Sequence, residues 1–371
     1  MTNEKSGALA SQHLRQLVSD SIISADETIN ENQIQPASID LRLGSTAYRV
    51  RSSFLPGKNR TVQDCLNDMV MHEIDLSEGA VLEKSCVYIV PLLEHLNLPD
   101  YLSAAGNPKS STGRLDVFTR LITDNGIEFE QVAAGYQGQL YAEIAPLTFS
   151  VLVRKGSRLS QLRIRSGKST IDDANHAALQ SNVRLVDREL ENYEIKNGVP
   201  ISVDLNGDTK SGLVGYRAKR HSGVVDVDKS AAHSAAAYWE PLYANKGSVQ
   251  NGQLILDPGE FYILVSKESV HVPIDYAAEM VAYDTLVGEF RVHYAGFFDP
   301  GFGVPEAGGL GSKAVLEVRS FDVPFLLEDN QNVGRLVYER MLATPDKIYG
   351  QDMQSNYQAQ GLKLSKHFLM S

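Results

Sequence analysis

The feature that most constrains this chain is an internal repeat. Pro99, Glu143 and Leu162 recur as Pro273, Glu317 and Leu336, each pair 174 positions apart (273−99, 317−143, 336−162). Their surroundings agree: Leu96-Asn97-Leu98-Pro99 answers Val270-His271-Val272-Pro273, and Ala142-Glu143-Ile144 answers Leu316-Glu317-Val318. Upstream, Ser38-Ile39-Asp40-Leu41 reads as a copy of Ser202-Val203-Asp204-Leu205. A chain with this pattern is two versions of one unit. The repeated glutamate lies in an apolar strand, where an unpaired carboxylate is costly to bury. Such a residue is either structurally paired or chemically employed.

At 371 residues the chain exceeds one ordinary core, and the repeat favours two domains, 1–180 and 190–371, joined within the polar stretch 168–200. A composition of 43% apolar and 22% charged residues is that of a soluble globular protein. The net charge of −11 argues against a general nucleic-acid or membrane-surface binder. No apolar run is long enough to cross a bilayer, and Cys65 and Cys86 cannot build a disulfide framework, so the expected setting is cytoplasmic.

Helical spacing of Leu14, Leu17, Val18, Ile22 and Ile23 predicts a helix over 13–34. Beyond it, strand signals prevail at 38–51, 85–92, 139–145, 148–154 and 159–165. They return at 201–205, 213–218, 260–266, 289–298, 314–320, 323–327 and 333–339. Many short strands and few helices predict an all-β barrel or sandwich. Neither G-x-G-x-x-G nor G-x-x-x-x-G-K-[ST] occurs.

Three groups of residues are candidates for chemistry. Lys109-Ser110-Ser111-Thr112-Gly113-Arg114 offers two cations and several hydroxyls beside a turn, a suitable phosphate cradle, although Ser-Ser-Thr suits a helix N-cap equally. Glu143 and Glu317 are candidate general acid/base groups, since shielding from water raises a carboxyl pKa toward neutrality; the alternative is a solvent-facing carboxylate on an edge strand. Tyr349 and the tail containing Tyr357, Gln360 and Lys363 read either as a loose end or as a flap over a nucleotide. None of the nine histidines sits in an H-x-E, H-E-x-x-H or C-x-x-C context, so a zinc deaminase site has no ligands, and His293 reads as a strand residue. Trp239 reads as packing.

Together these residues resemble the metal-independent dCTP deaminases of the deoxyuridine triphosphatase-like superfamily. The likeness runs through Ser38 to Gly44, His72-Glu73-Ile74-Asp75-Leu76, Lys109 to Arg114, and Gly135-Tyr136-Gln137-Gly138 leading to Glu143. It continues through Phe298-Asp299-Pro300-Gly301-Phe302-Gly303, Val315-Leu316-Glu317, and the Tyr349…Tyr357-x-x-Gln360 tail. The resemblance implies two tandem dUTPase-like distorted β-barrel or jelly-roll (β-clip) domains in a homo-oligomer. It implies hydrolysis of dCTP to dUTP and ammonia, with Mg²⁺ travelling on the triphosphate and no zinc, and no nucleic-acid or membrane partner. A family glutamate activates water, here Glu143 or Glu317, and Ser110 and Arg114 help hold water and phosphate. Lys109, Ser111, Asp299, Phe302, Tyr349, Tyr357, Gln360 and Lys363 would bind substrate.

The Ser-Ser-x-x-Arg motif is present only in the first half; at the 174 offset stand Asp284, Thr285 and Gly288. The base-facing turn Asp299-Pro300-Gly301-Phe302 is matched only by Ala133-Ala134-Gly135-Tyr136, and the family's arginine before that turn is missing from both halves. The expectation is a composite site: the first-half phosphate motif faces the second-half turn and Glu317, with the C-terminal tail as flap. Two rival functions remain open. One is dUTP pyrophosphatase action, alone or in a bifunctional deaminase, with Asp299 activating water. The other is a non-catalytic nucleotide-binding regulator responsive to dCTP or dTTP.

Overall fold

A computed structural model describes residues 6–282, 290–292, 296–305, 311–350 and 361–369. The all-β expectation holds. The chain forms two compact units: one runs through Ser169 and takes in Gly223–His233 and Met341–Lys347, and the other holds Thr170–Ser222, Ser234–Arg340 and Ile348–Ser371. No helix among the described residues is long and apolar enough to cross a membrane.

The first unit is built on three sheets. One runs Val70–Asp75, Thr46–Val50, Val87–Asn97, Gln137–Pro146, Val117–Thr123, with Ile23–Ala25 added on Val87–Asn97. A second runs Gly7–Ala8, Ser160–Ser166, Leu102–Pro108, Gln131–Val132, with Ile39–Leu41 on Ser160–Ser166. A third joins Ala80–Leu82, Val151–Val153 and Val225–Asp226, the last pairing in parallel. Helix Val62–Met69 covers the first sheet, packing Val62 and Leu66 on Val50, Ile89, Ile122 and Tyr141. It begins with a reciprocal cap: the Thr61 hydroxyl accepts the Asp64 N–H (3.1 Å) while the Asp64 carboxylate accepts the Thr61 N–H (2.8 Å).

The second unit repeats this plan. Trp239–Tyr243, Leu213–Ala218, Phe261–Val270, Ser312–Ser320 and Phe290–Val292 form one sheet. Val199–Ser202, Asn332–Arg340, Tyr276–Ala282 and Phe297–Phe298 form another, and Val249–Gln250, Gln253–Leu256 and Phe325–Glu328 a third. The offset of 174 is kept in the pairing around the two glutamates. Ile89 stands opposite Glu143, and Ile263 opposite Glu317. The Tyr88 hydroxyl accepts the Glu83 N–H (3.0 Å), and the Tyr262 hydroxyl accepts the Asp257 N–H (3.1 Å).

One element of the repeat is corrected by the bonds. Glu94 accepts the Arg42 N–H (2.8 Å), and its counterpart Glu268 accepts the Ser202 N–H (2.8 Å). Leu43 N–H donates to the Ser157 carbonyl and Val203 N–H to that of Gln331, both at 3.0 Å. Equivalent residues here are therefore 160 apart (202−42, 203−43). The Ser38–Leu41 and Ser202–Leu205 words, 164 apart, are four residues out of register. Register is set by a buried carboxylate holding a backbone N–H. A slip of four preserves which side chains face inward, so the sequence pattern could not reveal it.

Three further expectations change. The helix over 13–34 is confined to Ser11–Ser19. Ser21 takes a positive φ of 59°, and Ile23–Ala25 joins Val87–Asn97 as a strand. From Thr170 onward the polar stretch 168–200 is part of the second unit rather than a linker, so the division falls at 169/170 and not between 180 and 190. Ile171, Leu185 and Val186 enter its core. His176, on helix Asp173–Val183, accepts the Tyr338 N–H at Nε2 (3.0 Å).

Candidate functional site

In the first unit the Lys109–Arg114 motif leaves strand Leu102–Pro108 and forms one short helical turn, Ser110–Gly113. Lys109 N–H donates to the Leu159 carbonyl (2.9 Å), and the Lys109 carbonyl accepts the N–H groups of Thr112 (2.8 Å) and Gly113 (3.0 Å). Lys109, not a serine, occupies the cap position, and without a side-chain cap bond. The serines are thus not spent on capping. Ser111 and Arg114 are buried and Ser110 half-buried. The Lys109 ammonium pairs with Asp40.

Glu143 is 1% exposed. Its Oε1 accepts Arg120 Nε (2.9 Å) and is ion-paired with Nη2. Arg120 stands directly opposite on strand Val117–Thr123, so cross-strand register delivers the cation to the acid. The guanidinium lies over the rings of Phe129 (3.6 Å) and Phe118 (4.6 Å) and donates to the Ser53 hydroxyl (2.7 Å). Glu143 Oε2 is buried with no hydrogen-bond partner among the described residues. Glu143 is therefore not a solvent-facing edge carboxylate.

The turns before the two glutamates are equivalent. Tyr136 N–H donates to the Ala133 carbonyl (3.2 Å), and Phe302 N–H to that of Asp299 (3.1 Å). Leu98 N–H donates to the Tyr136 carbonyl (2.9 Å) and Val272 N–H to that of Phe302 (2.8 Å). In the first unit the Tyr136 hydroxyl is tied to the Gln139 carbonyl (2.6 Å), and burial raises its pKa. In the second, Phe302 lies in the core, with Phe298 edge-on at 5.1 Å and Tyr349 at 5.6 Å. Tyr349 N–H donates to the Pro300 carbonyl (2.9 Å), and Asp299 is half-buried beside them. Asp299, Phe302 and Tyr349 are thus brought together.

Beyond the second turn, Gly311 N–H donates to the Gly303 carbonyl (2.9 Å). Gly303 has φ +72°, and a Cβ there would come within 2.1 Å of the Val270 carbonyl oxygen, so only glycine fits. Glu317 is 5% exposed on Ser312–Ser320. Lys363 is exposed. Tyr357, Gln360 and His293 lie outside the described residues. The last turn of the tail is not loose: Leu364, Ser365, His367 and Phe368 are buried. Phe368 packs on Tyr238 (5.2 Å) and edge-on to Trp239 (5.8 Å), which fits the packing role read for Trp239.

Sequence reasoning missed two sets of residues. One is Arg120, whose strand was not read. The other is the repeated buried acid Glu94/Glu268, gripped by Arg42 Nε (2.8 Å) and Arg188 Nε (3.0 Å). The 174 offset would have found that second pair.

Two tandem three-sheet units, each with a strand glutamate behind an equivalent turn, define a duplicated all-β architecture. The chain belongs to the 2'-deoxycytidine 5'-triphosphate deaminase family: the family's N-terminal domain model matches residues 5–168 and its C-terminal domain model residues 172–368. A solved structure, the 2'-deoxycytidine 5'-triphosphate deaminase from Agrobacterium tumefaciens, is similar at TM-score 0.87 and 56% identity, covering 93% of this chain and 98% of that one. A dCTP deaminase, dUMP-forming, of Halobacterium salinarum is 32% identical over 123 residues, 32% of this chain. A dCTP deaminase of Halorubrum lacusprofundi is 31% identical over 141 residues, 38% of this chain. The chain spans 58% and 66% of the length of these two relatives.

Proposed function

We propose that the chain hydrolyses dCTP to dUTP and ammonia, the triphosphate entering as its Mg²⁺ complex. The likeness to the Agrobacterium protein, over 93% of this chain at 56% identity, is the observation that carries this reading. Water adds to C4 of the cytosine ring as its proton passes to a glutamate. That proton is passed on to ring nitrogen N3; the glutamate then takes the proton of the new C4 hydroxyl and hands it to the amine, and the C4–N4 bond breaks to release ammonia and leave a C4 carbonyl. We assign the base role to Glu317. Glu143 has one carboxylate oxygen committed to Arg120, and the Asp299–Phe302 turn that carries the family pattern belongs to the same unit as Glu317. Phosphate recognition is assigned to Lys109, Ser110, Ser111 and Arg114, with Ser110 also holding water. Recognition of base and sugar is assigned to Asp299, Phe302, Tyr349, Tyr357, Gln360 and Lys363. The unbonded Oε2 of buried Glu143 favours a second assignment, in which Glu143 is the base.

A bifunctional reading is supported by relatives whose names include "dUMP-forming". Asp299 would then direct water at the α-phosphate. A homo-oligomer in the cytoplasm belongs to the same proposal, and the free thiols of Cys65 and Cys86 suit a reducing compartment. The test is a product assay on dCTP with Mg²⁺. Ammonia matched by dUTP supports deamination, and ammonia matched by dUMP and pyrophosphate supports the bifunctional form. Tight dCTP or dTTP binding without product overturns both in favour of a regulator.

A further inference from the structure

We propose that Asp40 is a positioning residue for the phosphate-binding turn, holding the Lys109 ammonium where the triphosphate is to be met. The inference deepens the reading of that motif given above and rests on it.

Asp40 is 2% exposed on strand Ile39–Leu41, directly opposite Gln161, which is in turn opposite Asn107 at the end of strand Leu102–Pro108. Lys109 follows two residues later. The sheet register therefore carries Asp40 to the root of the Lys109–Arg114 turn. Asp40 Oδ2 takes the Lys109 ammonium, with Arg158 Nη1 at 3.8 Å. Asp40 Oδ1 is buried and has no hydrogen-bond partner among the described residues. A half-satisfied buried carboxylate is costly, and a fold has no reason of its own to keep one.

The second unit shows that the fold does not need it. With register read from the bonds, the residue equivalent to Asp40 is Pro200: Pro200 stands opposite Arg335 as Asp40 stands opposite Gln161 (335−161 = 174). The Ser-Ser-x-x-Arg motif is also confined to the first half. The carboxylate accompanies the phosphate motif, not the sheet. Asp204, which the sequence words align with Asp40, is a different residue with a different partner, Lys313 (3.2 Å).

An ammonium on four flexible bonds pays rotamer entropy to meet a phosphate, and a buried anion at its root removes most of that cost in advance. Asp40→Asn keeps the shape and frees Lys109. The expected result is a KM for dCTP raised about tenfold with kcat nearly kept, as loss of one charged hydrogen bond gives. Affinity for inorganic tripolyphosphate, measured by calorimetry, should fall by the same factor. Because Asp40 acts through Lys109, Asp40→Asn combined with Lys109→Gln should be no weaker than Lys109→Gln alone.

Unchanged KM and tripolyphosphate affinity, or fully additive losses, would overturn the proposal. So would a loss confined to melting temperature. Should Asp40→Asn not fold, Lys109→Arg serves instead: it keeps the charge but not the compact contact, and an unchanged KM there is equally fatal. Tripolyphosphate binding that couples Asp40 to Lys109, in a protein that releases no ammonia, would spare this inference and sink the deaminase reading.

Discussion

Arg120→Gln separates a structural from a chemical role for Glu143. The substitution strands a carboxylate that is 1% exposed. Removing one partner of a buried ion pair costs about 3–5 kcal/mol, because the other charge is left uncompensated. The Arg120 side chain is 22% exposed, so water can approach from its side and the lower end applies. The guanidinium also leaves the rings of Phe129 and Phe118, a loss of about 1 kcal/mol. The exposed Ser53 contact adds little. A total near 4 kcal/mol lowers the Tm of a unit this size by roughly 8–16 °C, at about 2–4 °C per kcal/mol. Scanning calorimetry reads the shift, and ammonia release from dCTP at 25 °C is measured on protein that is still folded. The expected result is a large fall in Tm with kcat nearly kept. Adding Glu143→Gln should restore part of the Tm, since the orphaned charge disappears. An unchanged Tm with ammonia release abolished would refute the reasoning and move Glu143 into the chemistry.

Gly303→Ala places a Cβ against the Val270 carbonyl oxygen at positive φ and should cost about 2–4 kcal/mol, read as a lower urea midpoint. Phe368→Ala removes a buried ring from Tyr238 and from Trp239, the chain's single tryptophan. It should cost about 3 kcal/mol and shift tryptophan emission to the red; unchanged emission would place the tail elsewhere. His176 is buried with its pKa lowered from 6.5, chiefly by desolvation. Its folded pKa lies below its unfolded one, so the stability it contributes is fully present above pH 6.5 and is lost as pH falls toward the folded value. Tm should decline between pH 7 and 5 more steeply in the parent than in His176→Gln, and equal slopes would contradict this.

Strand composition and the 174-residue repeat were legible in the sequence. Strands at 213–218 and 314–320 were read from short runs rich in β-branched or aromatic residues bounded by turn formers, and Glu143 and Glu317 from the repeat. Register was not legible. The Ser38 and Ser202 words look alike, but backbone bonds to Glu94 and Glu268 set the alignment, and those partners are 52 and 66 residues away in sequence. Arg120 was hidden for the same reason: only strand pairing brings it to Glu143. The expected helix over 13–34 was too long because Ile22 and Ile23 fit helical spacing. Pairing of Ile23 with Leu96 won over that local pattern. The tail from Leu364 looked loose by composition, yet a few apolar residues suffice to anchor it when a receiving surface such as Tyr238 and Trp239 exists.

In the proposed function, one of two look-alike glutamates does the chemistry. The most direct measurement is ammonia released from dCTP by Glu317→Gln and by Glu143→Gln, each checked for folding. The expected result is that release vanishes in Glu317→Gln and persists in Glu143→Gln with a lowered Tm. Full activity in Glu317→Gln together with none in folded Glu143→Gln would contradict it.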